Sequence, residues 1–255
     1  MTSKLRAFYR SVIFGDSLLG LFINPFYISR SSLYHCIKKC SKDIVGGSLL
    51  DVGCGSKPYK GLFKVDEYIG LDIEESGHDH STSEVDIFYD GNEIPFDNSK
   101  FDHVFASEVF EHVFNLDELL KEINRVTKKG GSLLITLPFV WDEHEEPYDF
   151  ARYSSFGITD ILKKHGYTVI NLHKSTSYIG TIFQMFAAYI SQVILPENRF
   201  IRIALTPFCV APFNMIGIFL SYILPDNRKF YLNNIVYSIK DWEVNYTNKL
   251  YLKHC

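Results

Sequence analysis

Residues 49–59 read LLDVGCGSKPY. An apolar run that ends in Asp51, followed by Gly53 and Gly55 and then Pro58, describes a buried strand breaking into a tight turn. Glycines let the backbone turn sharply and let a ligand approach closely. A dinucleotide fingerprint needs a third glycine in G-x-G-x-x-G, and Pro58 stands in that place. Asp51, two residues before the first glycine, would repel a pyrophosphate. It suits a ligand carrying an ammonium or sulfonium cation. The turn therefore favours a cationic nucleoside over NAD.

Outward from this turn the chain alternates between strand and helix patterns. Strands are expected at 48–53, 68–73, 84–90, 101–107, 132–139, 168–174 and 233–241. Residues 116–128 place Leu116, Leu119, Leu120, Ile123 and Val126 on one helical stripe, with Gly130-Gly131 read as its stop. Residues 156–166 form a second amphipathic helix. The alternation argues for an α/β fold, a mainly parallel sheet with helices on both faces.

Two further acids follow strands in order. Asp72 ends the second strand about twenty residues after Asp51, where a carboxylate accepts from ribose hydroxyls. Asp90, followed by Gly91, comes after the third strand and suits the exocyclic amine of an adenine.

With these residues assembled, LLDVGCGSKPY, YIGLDIE, DGNEIPFDNSKFDHVFASEVFEHV and RVTKKGGSLLITLPF resemble the successive motifs of class I S-adenosylmethionine-dependent methyltransferases. The resemblance runs from about residue 45 to 174 and resumes at the last strand. It implies S-adenosyl-L-methionine as cofactor and a Rossmann-like, seven-stranded, mainly parallel sheet with helices on both faces and an antiparallel last strand. Asp51, Gly53 and Gly55 would face the methionine part, Asp72 the ribose and Asp90 the adenine, with Ala106 and Ser107 flanking the methionine. Many members have a third glycine where this chain has Lys57.

PFVWDEHEEPYDFARYSSFGITDILKKHGY (138–167) also resembles a subgroup found in bacterial surface-polysaccharide gene clusters. The segment follows the fifth strand, at the ligand edge, and loops there carry function. His144 is the first candidate for a general base and His112 the second, because imidazole titrates in the useful range. Tyr148, Asp149 and Arg152 are expected to shape the acceptor pocket. No metal site is assigned: His78, Asp79 and His80 are adjacent, and neighbouring side chains rarely converge on one ion.

A net charge of -4 gives no reason to expect a nucleic-acid partner. The five cysteines form no paired spacing, which fits a reducing compartment. Residues 1–44 read as a helical lead-in rather than a signal peptide. Residues 45–174 and 232–255 form the expected catalytic core, and 175–231 a hydrophobic helical insertion. This insertion holds two charge-free runs, 175–196 and 203–225, each long enough to span a bilayer. Polar residues, Pro207 and Pro212 argue instead for helices that rest on a membrane surface or form a homodimer interface.

The expected function is O-methylation of a saccharide or lipid-linked saccharide, with a small-molecule or glycolipid acceptor. The expected location is cytoplasmic, peripheral at the inner face of the membrane. A non-catalytic S-adenosylmethionine-binding or scaffold protein at a membrane surface is the alternative.

Overall fold

The sheet forms around the strand that feeds the glycine turn. The computed structural model describes residues 8, 10–74 and 83–242. The strands are β1 (Ser48–Val52), β2 (Glu67–Ile73), β3 (Ile87–Tyr89), β4 (Phe101–Ser107), β5 (Thr127–Pro138), β6 (Tyr167–Lys174) and β7 (Asn233–Lys240). Their order in the sheet is β3-β2-β1-β4-β5-β7-β6. β1 pairs in parallel with β2 and β4, β2 with β3, and β4 with β5. The order reverses at β1, so the turn after β1 lies at the switch point where such sheets bind ligands.

β7 runs against β6. Ser175 N donates to Asn233 O at 3.0 Å, while Asp241 N donates to Gly166 O at 2.9 Å. The start of β7 thus lies beside the end of β6, as the resemblance implies.

The helices are α1 (Leu18–Ile23), α2 (Tyr27–Cys40), α3 (Leu116–Val126), α4 (Ser155–Lys164), α5 (Tyr178–Tyr189), α6 (Arg199–Cys209) and α7 (Ala211–Ile223). In α3 the sequence stripe is the buried face: Leu116, Leu119, Leu120, Ile123 and Val126 are all buried. They pack with Leu50, Val104, Leu133 and Ile135 in one hydrophobic core. Burial at these positions supplies most of the folding force, roughly 1.5–3 kcal/mol per large side chain.

The third strand is shorter than expected, Ile87–Tyr89, and the boundary between α3 and β5 differs from the sequence reading. α3 ends at Val126, where Thr127 turns extended (ψ 134) and its hydroxyl donates to Ile123 O at 2.5 Å. Gly130 and Gly131 lie inside β5 instead. The β4–β5 register shifts between Phe101 and His103, and a Cβ on Gly131 would sit 2.7 Å from Asp102 O. The glycines serve this irregularity in the ladder, where a side chain would not fit.

The chain divides into two compact units. One holds Lys38–His173 and Asn234–Cys255, and so carries most of the sheet. The other combines Met1–Ile37 with Lys174–Asn233. Within that second unit, buried amides tie the apolar helices to the N-terminal segment. Asn214 Nδ2 donates to Leu21 O and Asn24 O at 3.2 and 3.1 Å. Gln184 accepts from Ser29 N at 3.0 Å and donates to Pro25 O at 2.9 Å. Residues Phe200–Ile223 are long and apolar enough to cross a membrane by length and composition, and only 28% of their most apolar stretch is buried. Pro212 stands in the first turn of α7, at a position that needs no N–H donor.

Candidate active site

The glycine turn is locked to the end of β2. Gly53 N and Cys54 N both donate to Leu71 O, at 2.9 and 3.1 Å. Gly55 N donates to Asp72 Oδ2 at 2.9 Å, and Ile73 N to Asp72 Oδ1 at 2.9 Å. Asp72 therefore braces the turn and keeps further acceptor capacity on both oxygens. Gly53 has φ +67, and a Cβ there would sit 2.4 Å from Val109 Cγ2. Gly55 has φ +46 with open space where a Cβ would go. Among the described residues, no atom comes within 4 Å of that position.

Lys57 adopts φ 51, the left-handed conformation that a glycine accepts without strain. Its buried ammonium donates to Asp86, whose Oδ2 also accepts from Gly70 N at 2.7 Å. The missing third glycine is thus replaced by a lysine whose ion pair supports the strained backbone.

Asp51 is buried beneath the turn and accepts from Tyr68 Oη at 2.5 Å. Burial pushes its carboxyl up to about 7, against the opposing pull of the Tyr68 hydroxyl and the Lys57 charge. Asp90 is exposed and its two oxygens accept from Asn92 N and Nδ2, at 2.9 and 3.1 Å. Gly91 follows with φ 83. At the end of β4, Ala106 is buried and pairs with Val52, and Ser107 Oγ lies 2.8 Å from Thr136 Oγ1. Glu108 follows with φ 55, its amide donating to Thr136 O at 2.9 Å.

The loop after β5 folds back over the segment after β4. Phe150 N donates to Glu111 O at 2.8 Å, and His112 Nδ1 lies 2.9 Å from Tyr148 O. The rings of His112 and His144 meet edge to face with centroids 4.8 Å apart. Both histidines singled out from sequence are therefore brought together. Burial lowers the His112 pKa, opposed by the Tyr148 carbonyl.

Asp149 organises the loop. It accepts from His144 N at 3.0 Å, sits 3.1 Å from His144 Nδ1, and is held by the Arg152 fork. Burial works to raise its carboxyl, but the Arg152 hydrogen bonds and the His144 amide outweigh it and hold the pKa down at about 2. Arg152 also donates to Asp142 O at 2.9 Å. Tyr148, by contrast, is 46% exposed, so its ring stands at the rim.

Sequence reasoning passed over Glu111. It is fully buried, neither carboxylate oxygen has a hydrogen-bond partner, and Oε1 lies 3.8 Å from His112 Nε2. Burial and the nearby Glu108 charge raise its pKa well above the ordinary range. Its place beside His112 was the available signal, but burial of a glutamate cannot be read from spacing.

Residues 50–135 match the family described as the methyltransferase domain. This stretch is similar to a methyltransferase domain. Over 73 residues it is 32% identical to the sarcosine/dimethylglycine N-methyltransferase of Halorhodospira halochloris. That stretch is 29% of this chain and spans a quarter of the relative's length (25%).

Solved structures share the fold of the domain. Phosphoethanolamine N-methyltransferase 2 of Haemonchus contortus, solved with S-adenosyl-L-methionine, has a TM-score of 0.53 at 20% identity, covering 94% of this chain and 57% of that one. An S-adenosylmethionine-dependent methyltransferase from Mesorhizobium loti has a TM-score of 0.52 at 10% identity, covering 84% and 100%.

Proposed function

We propose that the chain transfers a methyl group from S-adenosyl-L-methionine to a small polar acceptor held at the His112–His144 loop. The observation that carries this reading is the glycine turn braced by Asp72 over the buried Asp51. The open Gly55 backbone and the carboxylate below it fit a ligand that carries a cation close to its adenosine. Asp51, Gly53 and Gly55 would hold the methionine part with Ala106 and Ser107, Asp72 the ribose, and Asp90 with Gly91 the adenine. When bound, the cofactor supplies an electrophilic methyl on a sulfonium.

The chain's own residues then align and deprotonate the acceptor. Asp149 fixes the His144 ring through Nδ1, which leaves Nε2 for an acceptor hydroxyl proton. Tyr148 O does the same for His112. Tyr148, Asp149 and Arg152 define the pocket wall. A saccharide hydroxyl suits this polar loop. The exposed apolar side chains Phe200, Phe208 and Tyr222 suit a lipid-linked acceptor and peripheral contact with the inner face of the membrane. The same helices could alternatively pair two copies of the chain.

One observation favours a second acceptor class. Asp142, Glu143, Glu145 and Glu146 surround His144 in sequence, and an acidic loop attracts a cationic amine. The Halorhodospira halochloris and Haemonchus contortus relatives are both named as N-methyltransferases.

The test is transfer of labelled methyl from S-adenosyl-L-methionine to three acceptor panels: free saccharides, lipid-linked saccharides in vesicles, and small amines. Transfer to either saccharide panel, lost in His144→Ala, supports O-methylation. Transfer to amines alone supports the second reading. No transfer to any panel by a protein that binds the cofactor supports the non-catalytic alternative.

A further inference from the structure

We propose that Glu111, His112 and His144 form a binding site for one divalent transition-metal ion. One ligand atom from each residue lies within 4.8 Å of the others. All three belong to the sheet-bearing unit and come from two segments, the turn after β4 and the loop after β5.

Two independent observations point to an ion. The first is Glu111. Its carboxylate is fully buried, and neither oxygen has a hydrogen-bond partner. A buried carboxyl group whose oxygens make no hydrogen bond is costly, and a coordinated cation would stabilise its ionised form. Its Oε1 points to within 3.8 Å of His112 Nε2.

The second is the orientation of the imidazoles. His112 Nδ1 is engaged by Tyr148 O at 2.9 Å, and His144 Nδ1 by Asp149 Oδ2 at 3.1 Å. Metal-bound histidines characteristically give their second ring nitrogen to a carbonyl or carboxylate, which fixes tautomer and direction. Here both rings do so, and His112 turns its Nε2 toward Glu111. Glu145 Oε2 adds an oxygen 3.6 Å from His112 Nε2, at the outer side.

Two imidazoles and one carboxylate suit zinc, iron(II), cobalt or manganese rather than the all-oxygen sites of calcium and magnesium. Ligand atoms about 2.1 Å from one ion lie at most about 4.2 Å apart. The cluster must therefore contract slightly, and the 31% exposed His144 side chain is the ligand with most room to shift.

The inference rests on the methyltransferase reading only for what the ion would act upon. It recasts the two histidines as ligands rather than bases, with the remaining coordination positions left to an acceptor oxygen.

The experiment uses the full chain stripped with a chelator. Cobalt(II) is titrated while its visible absorption is followed, and zinc(II) by calorimetry. Binding of S-adenosylhomocysteine is measured in parallel, so that loss of the cofactor reading is seen separately. The expected result is one ion per chain. Glu111→Gln and His144→Ala should each weaken binding at least tenfold, and a His78→Ala/His80→Ala control should not. Zinc should raise the melting temperature of the native chain and not of His144→Ala, whose site lies on an accessible loop. Absence of cobalt bands, binding unchanged in Glu111→Gln and His144→Ala, or binding lost in the His78/His80 control would overturn the proposal.

Discussion

The hydroxyl of Tyr68 donates to the buried carboxylate of Asp51 at 2.5 Å. Burial holds that carboxyl at about 7, so the floor of the proposed cofactor site changes charge near neutrality. A cationic ligand stabilises the ionised form. Affinity for S-adenosylhomocysteine, which keeps its ammonium, should therefore rise between pH 6 and pH 8 and binding should release protons. Calorimetry in two buffers of different ionisation enthalpy measures both. Tyr68→Phe removes a donor to the carboxylate, so the midpoint should move to higher pH.

The same group affects stability with the opposite sign. Its folded pKa of about 7 lies above the unfolded value near 3.9. The native chain therefore holds the proton more tightly, and this group costs stability as pH rises from about 4 through 7. Asp51→Asn should raise the melting temperature at pH 8 and change it little at pH 4, while weakening cofactor binding at least tenfold. A variant equally stable at both pH values relative to the native chain would contradict the assignment.

Gly53 faces Val109. A Cβ on Gly53 would sit 2.4 Å from Val109 Cγ2, on a backbone already at φ +67. Gly53→Ala should cost on the order of 1–3 kcal/mol of stability and lower cofactor affinity. Val109→Ala in the same chain should recover part of the steric cost and none of the backbone cost. Denaturant unfolding of the single and double variants measures the coupling.

Lys57 combines a disfavoured backbone with a buried ion pair. Lys57→Gly relieves the backbone and loses the pair with Asp86; Lys57→Ala loses the pair and keeps the strain. Glycine should be the better tolerated, by about 1 kcal/mol. Equal stability of the two variants would show that φ 51 is not maintained.

Asp102 anchors the opposite end of β1. It accepts from Ser48 N at 2.9 Å and pairs with Lys128 Nζ at 2.8 Å. Burial opposes its ionisation, but these partners outweigh it and hold the pKa at about 2. The contribution is complete above the unfolded value near 4 and is lost as pH falls through 2. Asp102→Asn should flatten the stability profile over that window in acid unfolding measurements.

Much of this architecture was legible because burial and secondary structure share periods. The alternation of strands, the α3 stripe and the order of Asp51, Asp72 and Asp90 are periodic or local signals. The end of α3 was not, because Gly131 is set against Asp102 of a neighbouring strand and Gly130 against Trp242, far away in sequence. Nor was the joining of Met1–Ile37 with Lys174–Asn233. It rests on single buried amides such as Asn214, whose partners lie far away in sequence and leave no repeat to detect. The histidines were legible as candidates; their convergence with a buried Glu111 that lacks hydrogen bonds required the folded loop.

The most direct test of the central claim is calorimetric titration of the whole chain with S-adenosylhomocysteine, beside Asp72→Ala and with NAD as control. The account predicts micromolar binding, weakened at least tenfold in Asp72→Ala, and no heat from NAD. A folded chain that ignores S-adenosylhomocysteine, binds it equally well without Asp72, or takes up NAD instead would contradict it.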